Sequence, residues 1–122
     1  MLIEDMQGAA KKAGLPWELS KGQDNFLPLS ELVDVKNVKD PYQLELHLQI
    51  NGKTVQKDLT GNMYYKVDDI IEYVSKYVTI NEGDLILTGT PEGVGPMKPG
   101  DHVDGKLLQG EDVLARLLFD VV

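Results

Sequence analysis

Two threonines flank a glycine in the run GDLILTGTPEGVGP, Gly83 to Pro96. Hydroxyl donors beside Gly89 suit an anion, because glycine lets the main chain approach a ligand closely and threonine adds a side-chain donor. Thr88 and Thr90 are followed by Pro91, Gly93, Gly95 and Pro96. A phosphate loop fits poorly. The run lacks the Gly-Lys-Ser/Thr ending, and no helical pattern follows to supply an anion-binding N-terminus. A plain surface turn and a backbone cradle for a carboxylate or oxyanion both remain open on residue pattern alone. Lys21, in PWELSKGQDNF, is a cation beside an aromatic residue and a glycine. A lone lysine is ordinarily a solvated surface residue. His47 lies on the polar side of an alternating segment and is expected to face solvent; His102 follows a Gly-Asp turn. No His-x-x-x-His or Glu-x-x-His spacing points to a metal. Asp68-Asp69 and Glu111-Asp112 read as a helix cap and a turn.

These groups need elements to position them. EDMQGAAKKAG predicts a short helix stopped by Gly14, with Lys11 and Lys12 favourably placed in its last turn and Pro16 beyond. Residues 21–41 read as irregular. Leu44, Leu46, Leu48 and Ile50 alternate with polar residues, Asn51-Gly52 supplies a type I′ turn, and residues 54–59 return. That predicts a β-hairpin. Val67, Ile70, Ile71, Val74, Tyr77 and Val78 recur at helical spacing, with Asp68 as the expected N-cap and the NEGD at 81–84 as the end. Leu85 to Thr88 reads as a buried strand leading into the glycine-rich turn. KPGDHVDGKLL and DVLARLLFDVV predict two further strands joined near Gly110.

Composition narrows the function classes. The chain has 122 residues, enough for one domain. No repeat or linker divides it, so residues 1–122 are expected to form a single domain. Twelve basic residues against 20 acidic give a net charge of −8, with the lysines scattered among acids. This argues against nucleic acid and anionic membrane as main partners, since both need clustered Lys/Arg. There is no cysteine, hence no disulfide or thiolate metal site. No apolar run approaches the roughly 20 residues of a membrane span, and MLIEDMQ lacks the character of a signal or transit peptide.

Three segments together are more specific: KKAGLPWELSKG, YVSKYVTINEGDLILTGTPEGVGPMKPGD and the hairpin between them. They resemble the C-terminal half of the fumarylacetoacetate hydrolase family, nearest its acylpyruvase and oxaloacetate decarboxylase branch, over about Asp5 to Val122. The resemblance implies an α+β, mainly β fold with a rolled sheet core and one or two short helices. It implies a homodimer or larger assembly and a cytoplasmic or mitochondrial location. The implied chemistry is cleavage of a C–C bond in a small keto acid, by hydrolysis or decarboxylation. Mg²⁺ or Mn²⁺ would hold the substrate oxygens, because chelation stabilises the enolate left after cleavage. Residue by residue, Lys21 matches the family lysine facing metal and substrate, the catalytic candidate in this chain. Gln7 matches the glutamine of the family's Asp-x-Thr-x-Arg-Asp-x-Gln stretch. Gly89 and Thr90 match the Thr-Gly-Thr-Pro turn that contacts the substrate carboxylate.

The departures are equally specific. Asp5 aligns with the second aspartate of that stretch, and the first, a family metal ligand, would fall just before Met1. Glu4 stands where the family has arginine. The family's Glu-x-Glu ligand pair and the acid-base residues of its lid would also lie upstream, so no metal ligand is named in this chain. The expectation is a truncated or split family member with weak or absent metal binding. The alternative is a catalytically inactive relative acting as a binding or assembly module.

Overall fold

The computed structural model describes residues 3–122. Four antiparallel strands form one sheet in the order β2-β1-β3-β4. β1 (Glu45–Ile50) and β2 (Lys53–Leu59) are the expected hairpin. Asn51 and Gly52 turn it with φ of 51° and 78°, a pair that the type I′ turn demands at both central positions. β3 (His102–Gln109) pairs with β1, and β4 (Asp112–Asp120) folds back on β3 through Gly110 at φ 64°. Each hairpin carries an irregularity. Leu48 opposes Gln56 while Gln49 opposes Thr54, so Val55 is an extra residue in β2, and Leu114 is extra in β4. Such bulges bend the strand and sharpen its twist.

Register places Leu46, Leu48, Gly105, Leu107, Ala115 and Leu117 on one face, together with Gln56 of β2. Glu45, His47, Asp104, Lys106 and Arg116 share the other. There Arg116 grips Asp104 through Nε and an Nη at 2.8 and 2.9 Å, with Lys106 at 3.1 Å. The Arg116 hydrogen bonds, helped by Lys106, hold the Asp104 carboxyl down at about 2. His47 lies on this polar face, as expected, partly exposed and 2.8 Å from the Thr54 hydroxyl.

α1 (Ile3–Ala13) ends at Gly14 with φ 65°, as the glycine predicts. A four-residue helix, α2 (Glu18–Lys21), follows and packs on α1. Its Ser20 is buried and donates to the Trp17 carbonyl at 2.7 Å. α3 (Val67–Ser75) departs from expectation at both ends. Lys66 is the N-cap and its N–H donates to Asp69 Oδ2 at 3.2 Å, while Asp68 instead accepts from the Tyr42 hydroxyl. That hydrogen bond lowers the Asp68 carboxyl pKa and raises that of Tyr42. The helix stops at Ser75, before Tyr77, and 81–84 is a separate turn closed by Asp84 on Asn81.

Leu85 to Thr88 is not a strand. It joins no ladder, and Leu85 and Leu87 are 56% and 73% exposed. An apolar run becomes a strand only where another strand satisfies its backbone groups. Among the described residues only Leu44 and Val103 are buried apolar side chains, and Leu32 and Tyr64 are each 90% exposed.

Candidate functional site

The glycine-rich loop is held by β2. Gln56, on the apolar face of the sheet, sends its amide nitrogen to the Pro91 carbonyl at 2.7 Å, Thr90 Oγ1 at 3.0 Å and the Glu92 carbonyl at 3.3 Å. The neighbouring bulge residue completes the seat. A Cβ at Gly93 would lie 2.0 Å from the Val55 carbonyl oxygen, so only glycine allows this approach, and its φ of 96° agrees. Gly89, at φ 106°, turns the chain with open space around it.

Together, loop and sheet face enclose a hollow of about 320 Å³ whose lining includes Leu46, Leu48, Gln56, Gly89, Thr90 and Leu117. That is the lower end of the size range for small-molecule sites, which typically combine apolar walls with a few placed polar groups. Gly105 sits in its floor, where a Cβ would meet Leu48 and Leu117 at 3.7 Å. Thr90 is exposed, so its hydroxyl is accessible to a ligand.

The other two sequence candidates lie elsewhere. Gln7 is a half-buried residue of α1, and Lys21 is the exposed last residue of α2. The packing of α1 on α2 therefore groups their elements. Lys21 lines a surface hollow with Leu15, Pro16, Trp17 and Glu18, which does not include Thr90. Four candidates thus fall into two pairs: Gln7 with Lys21 on the helices, Gly89 with Thr90 over the sheet. Side-chain placements of Glu4 and Asp5 lie outside the described residues. Gln56 was not named from the sequence. Its role depends on the strand register and on the bulge beside it, and a glutamine in an alternating strand carries no local signal of either.

Among the described residues, no three His, Asp or Glu side chains converge where they could hold a metal ion. These residues alone do not supply the converging carboxylates by which a hard cation such as Mg²⁺ is held. No described helix is long and apolar enough to cross a membrane.

Residues 3–116 match the family profile described as fumarylacetoacetate (FAA) hydrolase C-terminal. The chain belongs to the fumarylacetoacetate hydrolase family. A mitochondrial oxaloacetate tautomerase of Arabidopsis thaliana is 47% identical over 121 residues, 99% of this chain and 52% of the relative. The structure of a yeast family protein superposes with a TM-score of 0.90 at 37% identity, covering 98% of this chain and 52% of the other. A fumarylpyruvate hydrolase from Pseudomonas aeruginosa, crystallised with Mn²⁺ and pyruvate, gives a TM-score of 0.90 at 31% identity, over 100% and 51%. The chain spans about half the length of the curated relatives it matches. The α+β, mainly β architecture expected from the resemblance is the one observed.

Proposed function

We propose that this chain supplies the carboxylate-holding wall of an active site for a small 2-keto acid, and that oxaloacetate is the substrate of the complete protein. The observation that carries the reading is the anchored loop, an accessible Thr90 hydroxyl held over a hollow of about 320 Å³ with room for a small acid. Similarity to an oxaloacetate tautomerase supports enolisation as the reaction. In that reaction one proton leaves the enol oxygen and another arrives at the adjacent carbon. Decarboxylation of oxaloacetate, which releases CO₂, and hydrolysis of acylpyruvates, which releases a carboxylic acid, are the expected C–C cleavages. Both leave the enolate of pyruvate rather than that of oxaloacetate, but all three reactions develop negative charge on the 2-keto oxygen.

In this reading Thr90 and the Gly89 backbone bind the carboxylate and fix the keto acid's orientation. Lys21 and Gln7 take the keto-oxygen side on the strength of the family match, with the lysine ammonium stabilising enolate charge. Mg²⁺ or Mn²⁺, bound in the complete protein by ligands beyond the described residues, would add Lewis-acid stabilisation of the keto oxygen. A mitochondrial location accords with the names of the similar tautomerases, and assembly with a second copy accords with the exposed apolar side chains.

The test follows the ultraviolet absorbance of oxaloacetate's enol in the complete protein, with pyruvate release measured in parallel and Mn²⁺ supplied. Accelerated loss of enol without pyruvate supports tautomerisation, and stoichiometric pyruvate moves the assignment to decarboxylation. The alternative, a non-catalytic binding or assembly module, is motivated by the lack of a metal-holding cluster among the described residues. It prevails if neither rate exceeds the buffer value.

A further inference from the structure

We infer that Gln56 is a positioning residue that reserves the Thr90 hydroxyl proton for the ligand's carboxylate; this rests on the functional reading above. The orientation of the Gln56 amide follows from its surroundings. Nε2 faces two carbonyl oxygens, Pro91 at 2.7 Å and Glu92 at 3.3 Å, which can only accept. Turning the amide over would bring Oε1 against both and lose both hydrogen bonds. With the nitrogen fixed on that side, its two N–H groups serve three acceptors, so one N–H is shared, and Thr90 Oγ1 at 3.0 Å is nearer than the Glu92 carbonyl at 3.3 Å.

That contact decides what Thr90 does. A hydroxyl has one proton and two lone pairs. Its oxygen accepts from Gln56, so the proton is not used to hold the loop. The proton's one protein acceptor among the described contacts is Gln56 Oε1 at 3.3 Å, well beyond the usual 2.7–2.8 Å of a hydroxyl–oxygen bond. It is weakly held there, and rotation of the hydroxyl redirects the hydrogen bond to a better acceptor at little cost while the proton stays on Thr90. An ionised carboxylate, which accepts only and forms shorter, stronger hydrogen bonds, is such an acceptor. The anchor and the ligand therefore use different parts of one hydroxyl. A neutral amide or ester oxygen at the same place would gain less from the proton, so the device favours acids.

Gln56 also lines the hollow and holds the Pro91 and Glu92 carbonyls, so a double-mutant cycle with Thr90 is what isolates the part of its effect that runs through the hydroxyl. The probe is pyruvate, titrated calorimetrically into the complete protein with Mn²⁺ present. Thr90→Val should raise Kd about tenfold, the loss of one hydrogen bond to a charged group. Gln56→Met should raise it by several-fold to tenfold alone, and should add less than twofold in the Val background. Should the Met variant not fold, Gln56→Asn keeps the amide but shortens it by one methylene, and serves in the same cycle. Circular dichroism melts confirm the fold of each. Additive effects, or a Gln56 variant that binds pyruvate normally while Thr90→Val does not, overturn the inference and leave the site assignment standing. A Thr90→Val protein with unchanged pyruvate affinity overturns the functional reading itself.

Discussion

Replacing Gly93 by alanine tests the seat of the loop, because its cost divides into two parts that a neighbouring glycine separates. Gly93 and Gly89 have similar positive φ, 96° and 106°. Both positions charge a side chain for left-handed backbone, about 1–2 kcal/mol. Only Gly93 adds a collision. Its Cβ would lie 2.0 Å from the Val55 carbonyl oxygen and 3.1 Å from the carbonyl carbon, both backbone atoms of a strand locked in the sheet. Gly89 has nothing within 4 Å. Relieving that overlap means shifting β2 or lifting the loop, and such overpacking costs about 1–3 kcal/mol more. Gly93→Ala should therefore lower unfolding free energy by about 2–5 kcal/mol and Gly89→Ala by about 1–2 kcal/mol, read by urea denaturation with linear extrapolation. If the loop lifts instead, its docking energy caps the global loss. Limited proteolysis then shows faster cleavage between Thr88 and Met97 in the Gly93 variant alone. Equal stability and equal proteolysis for the two variants would refute the close approach of Gly93 to β2.

Asp104 gives a pH signature: its folded carboxyl binds a proton more weakly than the unfolded one, about 2 against 3.8. It contributes stability above pH 3.8 that is lost as pH falls towards 2, so the melting-temperature gap between the native chain and Asp104→Asn should shrink over that window; a constant gap contradicts the Arg116 grip. Lys21→Met in the complete protein should lower kcat on oxaloacetate by on the order of 10²-fold, since its charge matters most where negative charge develops. Normal turnover would make Lys21 a surface residue. With so few apolar side chains buried among the described residues and Leu32, Tyr64 and Tyr77 open to water, the 122-residue chain should scatter light as a dimer or larger at tens of micromolar. A clean monomer there would contradict this.

What the sequence reveals and what it hides divide along local and non-local lines. The β1–β2 hairpin is legible because alternation and Asn51-Gly52 specify strand, turn and face within a few residues. The β3–β4 hairpin is legible for the same reason, with Gly110 between its strands. Leu85 to Thr88 misleads because a strand's existence depends on a partner, and apolar character cannot say whether one is present. Asp68 misleads because its carboxylate bonds Tyr42, 26 residues away, while Asp69 serves the helix terminus instead. At the candidate site, the Thr-Gly-Thr-Pro motif singles out Gly89 and Thr90 in the sequence, and both line the hollow. Gln56 is hidden because its hold on the loop depends on the Val55 bulge and on a contact 34 residues along the chain.

The most direct measurement of the central claim is a crystal structure of the complete protein with Mn²⁺ and pyruvate. The account predicts the pyruvate carboxylate beside Gly89, accepting a hydrogen bond from Thr90 Oγ1 at roughly 2.5–2.7 Å, the length expected for a hydroxyl on a carboxylate, with Gln56 still bound to Pro91. Pyruvate seated elsewhere, with no contact to Thr90 and the loop displaced from β2, would contradict it.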